Sequence, residues 1–142
     1  MYKRQVYPCC RHLHGAIDAL LDLRAAHDLD AGSVTRVRVE TYSVAAAHSH
    51  TRCTSHIDAQ MSMPFAVAVC LLDGRLGMEQ FDRSHRDAPA VNALAQRVEV
   101  VADAALDARY PAERPARVTV SREGGPDPVS YTHLTLPTTP YV

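Results

Sequence analysis

The stretch Ser55–Gly74, SHIDAQMSMPFAVAVCLLDG, limits what this chain can fold into more than any other. Ser55 suits an N-cap, and Asp58, three residues on, takes the place of a capping-box acid. Met61, Phe65, Ala68 and Leu72 then recur at helical spacing. Val67, Val69 and Leu71 are apolar as well, so the segment reads as a helix buried on most sides. Asp73-Gly74 closes it, glycine being the usual residue past a helix C-terminus. Pro64 has no backbone N–H and predicts a kink or a shifted start near Met63. A helix this apolar needs other layers around it.

The flanking segments are patterned to supply them. Tyr7-Pro8-Cys9-Cys10 reads as an extended lead-in, because the residue before proline avoids the helical region. From Arg11 a helix is expected, with Leu13, Ile17, Leu20, Leu21 and Ala25 on its apolar face, broken at Gly32-Ser33. Val34–Val44 alternates as a half-buried strand: Val37, Val39 and Thr41 face one way, Arg36, Arg38, Glu40 and Tyr42 the other. Ala45–Thr54 is a loop. Met78–Phe81 suits one helical turn, and Asp87 with Pro89 marks another helix start. Val98–Ala102 and Arg117–Ser121 are short strands with a helical turn between them over Asp103–Arg109. Glu123-Gly124-Gly125 reads as a hairpin turn into a further strand that is expected to be missing. The order predicts an α+β domain: helices on one face of a small, mainly antiparallel sheet.

The 142 residues suit one domain, and 46% hydrophobic with 22% charged residues excludes disorder by composition. A net charge of −1 gives no electrostatic reason to expect nucleic acid or an anionic membrane surface. No apolar run reaches spanning length, and no signal-peptide pattern is present. Four cysteines with an adjacent pair, Cys9-Cys10, do not form a secreted disulfide framework. The expectation is a cytoplasmic protein with reduced thiols.

Four groups of residues could carry chemistry. Cys9, Cys10, His12 and His14, joined by His48, His50, Cys53 and His56, could hold zinc, although the spacings match no common zinc pattern. His56, Asp58 and Gln60 stand at the entry of the central helix, where capping explains them equally well. Phe65 with Met61 and Met63 has the period of a core stripe. Arg36, Arg38, Arg52, Arg83 and Arg86 read as a solvated face.

Both ends resemble something other than protein sequence. Val129–Thr138, VSYTHLTLPT, is similar to a translated transposase-type sequencing adapter, and Met1–Gln5, MYKRQ, to the same adapter reversed. Codons for Val129–His133 can be reverse-complemented to encode Tyr2-Lys3-Arg4. The expected segmentation is therefore an adapter-like 1–5, a domain over 6–128 cut from a longer protein, and an adapter-like 129–142.

Tyr7–Ala19, YPCCRHLHGAIDA, and Asp58–Val69, DAQMSMPFAVAV, followed by Leu71-Leu72-Asp73-Gly74, resemble the C-terminal part of the 2-methylcitrate dehydratase (MmgE/PrpD) family. The resemblance implies the lid of a two-domain, homodimeric enzyme whose site lies between a helical domain and an α+β lid. It implies acid–base lyase chemistry on a small di- or tricarboxylic acid, without metal or cofactor; the family's decarboxylases and epimerases are alternatives, and a Cys/His zinc-binding interaction module is one of another class. By the same resemblance His14 is the catalytic candidate, and His12, Gln60 and Phe65 are substrate-binding candidates. Phe65 stands where the family usually has tyrosine. A family lysine two residues before the Tyr-Pro falls on Gln5, within the adapter-like end.

Overall fold

The computed structural model describes residues 7–124 and 127–135. The reading of Met1–Gln5 lies outside them. The central stretch forms two helices, not one: a single turn over His56–Gln60 and, only after it, the long buried helix Met63–Asp73. In chain order the helices are α1 (His14–His27), α2 (Ser43–Ala46), α3 (His56–Gln60), α4 (Met63–Asp73), α5 (Arg83–Arg86), α6 (Pro89–Ala95) and α7 (Ala104–Asp107). The strands are β1 (Val34–Thr41), β2 (Val98–Ala102), β3 (Glu113–Arg122) and β4 (Val129–Thr135).

The break before α4 has a local cause. Ser62 is fully buried and caps the new helix by accepting from the Phe65 N–H, while its hydroxyl donates to the His50 carbonyl at 2.6 Å. Pro64 then falls in the first turn, where its missing donor would have had no helical partner. Ser55 caps α3 through the Asp58 N–H, as expected. Asp58 itself does not close a capping box. Its carboxylate turns to the Thr54 N–H and hydroxyl instead. Gly74 ends α4 at φ 75°, and a Cβ there would meet the Arg24 guanidinium, which donates to the Leu71 carbonyl.

The sheet has the order β2-β1-β3-β4, with β1 and β2 parallel and the other two pairs antiparallel. This is the α+β arrangement the pattern predicts. On the covered face, Val37 and Val39 of β1 lie beside Val118 and Val120 of β3, all fully buried. Helix α1 packs against β3 and β4, and α4 packs between α1, α6 and β2. Residues 63–71 of α4 are all buried, so this helix forms the middle of the core. The opposite face of the sheet carries Arg36 and Arg38 paired to Glu99, and Arg117 paired to Glu40.

Several expectations are corrected. The strand expected to be missing after Gly124 is present as β4, whose register runs from Val129 opposite Thr119 to Thr135 opposite Glu113. The edge of β3 would otherwise offer unpaired backbone groups, and the backbone of β4 pairs with it. Helix α1 stops at His27, not Gly32, because Asp28 takes the left-handed conformation at φ 49°. Leu23 is buried on α1, whereas Ala25 is exposed. Met61 is 37% exposed and leaves the core stripe, because the turn between α3 and α4 rotates it outward. Tyr42, expected outside, is buried: β1 ends at Thr41, and the chain bends into α2 before strand alternation can carry the ring to the polar face. Among the described residues no helix is long and apolar enough to cross a membrane.

Candidate functional site

The bend after β1 faces the turn that opens α1, and polar side chains gather there. Thr41 is fixed by donating to the Pro115 carbonyl at 2.8 Å. Asp107 accepts from both the N–H and the hydroxyl of Ser43, each at 2.8 Å, and so ties α2 to α7. Tyr42 is held between these anchors. Its ring stacks on Tyr110 at 4.4 Å and 8°, and its hydroxyl lies 2.8 Å from His12 Nδ1. His12 comes from the 3-10 turn Arg11–Leu13. Its ring also lies 5.8 Å from that of His48 and 6.1 Å from that of Tyr110. His48 Nδ1 donates to the Val44 carbonyl at 3.1 Å, and its Nε2 stands 3.8 Å from Cys10 Sγ.

The charges are one-sided. Loss of solvent pulls His12 below the ordinary imidazole range, and the Arg114 guanidinium and His48 push the same way. Burial raises the Tyr42 phenol, with Arg114 opposing. The Tyr42 hydroxyl and His12 Nδ1 share one hydrogen bond, and the lowered pKa of His12 favours its neutral form. Arg114 is the second residue of β3 and shares the strand parity of buried Ala116 and Val118, which puts it on the helix side of the sheet. Its Nε is buried without a hydrogen-bond partner among the described residues.

His14 lies elsewhere. Two residues on, at the start of α1, it is 5% exposed, donates to the Cys9 carbonyl from Nε2 at 3.3 Å, and meets Tyr7 edge-on at 5.1 Å. Burial also lowers its pKa, against the bond to Cys9. The Tyr7 hydroxyl bonds to Asp18, and burial and that carboxylate raise the phenol. Gln60 bridges the lead-in to α3: its amide donates to the Pro8 carbonyl at 2.7 Å, and its own carbonyl accepts from Cys10. Phe65 is 2% exposed and packs against Phe81 at 5.9 Å. Of the four residues singled out by sequence, then, His12 reaches the polar cluster, His14 and Gln60 brace the segment leading to it, and Phe65 lies in the core.

The sequence reading missed Tyr42, Tyr110 and Arg114. Tyr42 follows the last alternating residue of a strand, and Tyr110 precedes Pro111 in a short connection. Those are positions where side chains leave the regular faces. No three His, Cys, Asp or Glu side chains among the described residues form a group that could hold a metal ion. A polar cleft of about 620 Å³ lies apart, lined by Arg52, Arg83, Arg86 and Asn92 among others. Two of its arginines are engaged locally: Arg86 with the Phe81 and Thr54 carbonyls, Arg83 with Asp87.

A small α+β sheet domain with an aromatic–imidazole corner at the end of its central strand is what the coordinates define. The family model of the MmgE/PrpD C-terminal domain matches residues 7–132, and the chain belongs to that family. The match extends across β1 to β3 and into β4. No curated protein matches the chain.

Proposed function

We propose that this chain is the lid part of a metal-independent lyase, a hydro-lyase of the 2-methylcitrate dehydratase type, acting on a small di- or tricarboxylic acid and inactive alone. In such chemistry a proton leaves the carbon beside a carboxylate while hydroxide departs. That requires neutral bases and cationic or donor groups for the carboxylates. The observation that carries the reading is the family match; the corner supplies groups of the right kind. His14, the proposed catalytic residue, and His12 are both biased to the neutral form, which accepts a proton near neutral pH. The ionisable groups felt at His12 are Arg114 and His48, neither of them acidic, so a carboxylate is favoured there over a cation. Gln60 and Phe65 serve the site by fixing the Pro8–Cys10 segment and the start of α4. Decarboxylation or epimerisation of a related acid uses the same groups, and a panel of such acids separates these reactions. The enzyme is proposed to work as a cytoplasmic homodimer. Residues 1–5 and 129–142 are proposed to be adapter-derived, which the nucleotide sequence of the source tests.

Adding 2-methylcitrate to the purified chain while following the histidine ring signals by NMR tests the reading. The expected result is a shift of His12 and His14 at millimolar acid without turnover. Unmoved rings would contradict the site, and measurable dehydration would contradict the inactivity of the chain alone.

A further inference from the structure

Cys10 and His48 are not used by the chemistry above, yet they are arranged as a nucleophile and its base. The Val44 carbonyl can only accept, so it fixes the proton of His48 on Nδ1 and leaves the Nε2 lone pair directed at Cys10 Sγ, 3.8 Å away. An imidazole oriented in this way takes a thiol proton. The surroundings suit an acid as the electrophile. Arg114 acts electrostatically on both His12 and Tyr42, the neighbours of this pair, and its Nε lacks a hydrogen-bond partner. The other thiols differ. Cys9 and Cys70 are buried, with Cys9 pushed up to about 12 and Cys70 raised further, and burial also raises Cys53.

We propose that Cys10–His48 is a nucleophilic thiol site selective for small electrophiles that carry a carboxylate, α,β-unsaturated acids being the natural class. In the addition, His48 Nε2 takes the Cys10 proton and sulfur bonds to the β-carbon. The π pair moves to the α-carbon, which takes a proton back from the His48 imidazolium, so no oxidant or reductant is needed. The reactivity of the thiol is independent of the lyase reading; only the choice of unsaturated acids as the natural class rests on it. An unreactive Cys10 would leave that reading standing.

Iodoacetate and iodoacetamide are the probes: sulfur displaces iodide, and the thiol proton passes to His48 and then to solvent. The intact 142-residue chain is labelled and each cysteine followed by peptide mass spectrometry. Cys10 is expected to react about tenfold faster than half-buried Cys53, and His48→Gln to remove that advantage. Iodoacetate is expected to gain on iodoacetamide at Cys10 relative to a free thiol, and Arg114→Gln to abolish the gain. Equal rates at Cys10 and Cys53, or an unchanged rate in a folded His48→Gln variant, would overturn the proposal. If that variant unfolds, shown by uniform labelling of all four thiols, the two comparisons in the unsubstituted chain decide alone. A Cys10 that is fast but indifferent to the probe's charge would overturn the selectivity for acids.

Discussion

His12 of the β1 corner and buried His14 at the start of α1 are built in the opposite way to His85, beside the C-terminus of α4. Loss of solvent is the largest force on both His12 and His14 and favours their neutral forms; the Arg114 guanidinium adds to it at His12, while the Cys9 carbonyl opposes it at His14. His85 has a carboxylate on each nitrogen: Asp82 on Nδ1 and Asp73 on Nε2, both at 2.8 Å. Two acceptors require two N–H groups, and the bond to Asp82 leads the forces that raise the pKa of His85. The Asp82 carboxyl is correspondingly held down at about 2, first by His85 and then by Ser84. The same residue type is thus kept ready to take a proton in one region and fixed as a cation in the other. What separates them is which force leads: burial at His12 and His14, direct hydrogen bonds to carboxylates at His85.

Replacing the two kinds should have unequal consequences. His14→Ala empties a buried site and should cost about 2–4 kcal/mol in urea unfolding at neutral pH. Tyr42→Phe removes one hydroxyl and its bond to His12 and should cost about 1 kcal/mol in the same measurement. His85→Gln should cost the least, about 0.5 kcal/mol at pH 5 and less at pH 8, since Asp73 and Asp82 face solvent.

The pH dependence follows with opposite signs. For His12 and His14 the unfolded chain takes up protons near pH 6.5 while the folded chain resists, so stability falls as the pH drops below about 6.5. The contribution of His85 is present below about 6.5 and is lost as the pH rises through its higher folded value. Urea midpoints of the His14→Ala and His85→Gln variants against pH should show the two trends separately. Parallel curves would break the comparison.

The regular parts of the fold were legible because period and punctuation agreed. Val98–Ala102 and Met78–Phe81 have the predicted bounds, and Ser55 and Gly74 mark the ends expected of them. What was not legible lies where tertiary contacts override the pattern. Asp28 ends α1 by adopting a backbone state that no periodicity encodes. Ser62 starts a new helix because its hydroxyl finds the distant His50 carbonyl. A strand after Gly124 was not expected, yet residues 129–135 pair with the open edge of β3. At the site, the resemblance indicated His12, but its partners Tyr42, Tyr110 and Arg114 come from three other segments, and only the fold brings them together.

The most direct test follows the ring signals of His12, His14 and His85 by NMR from pH 4 to pH 9. We expect His12 and His14 to titrate below the unperturbed value of about 6.5 and His85 above it. A midpoint for His12 at or above that of His85 would contradict the central claim, that the corner at the end of β1 favours the neutral form of His12.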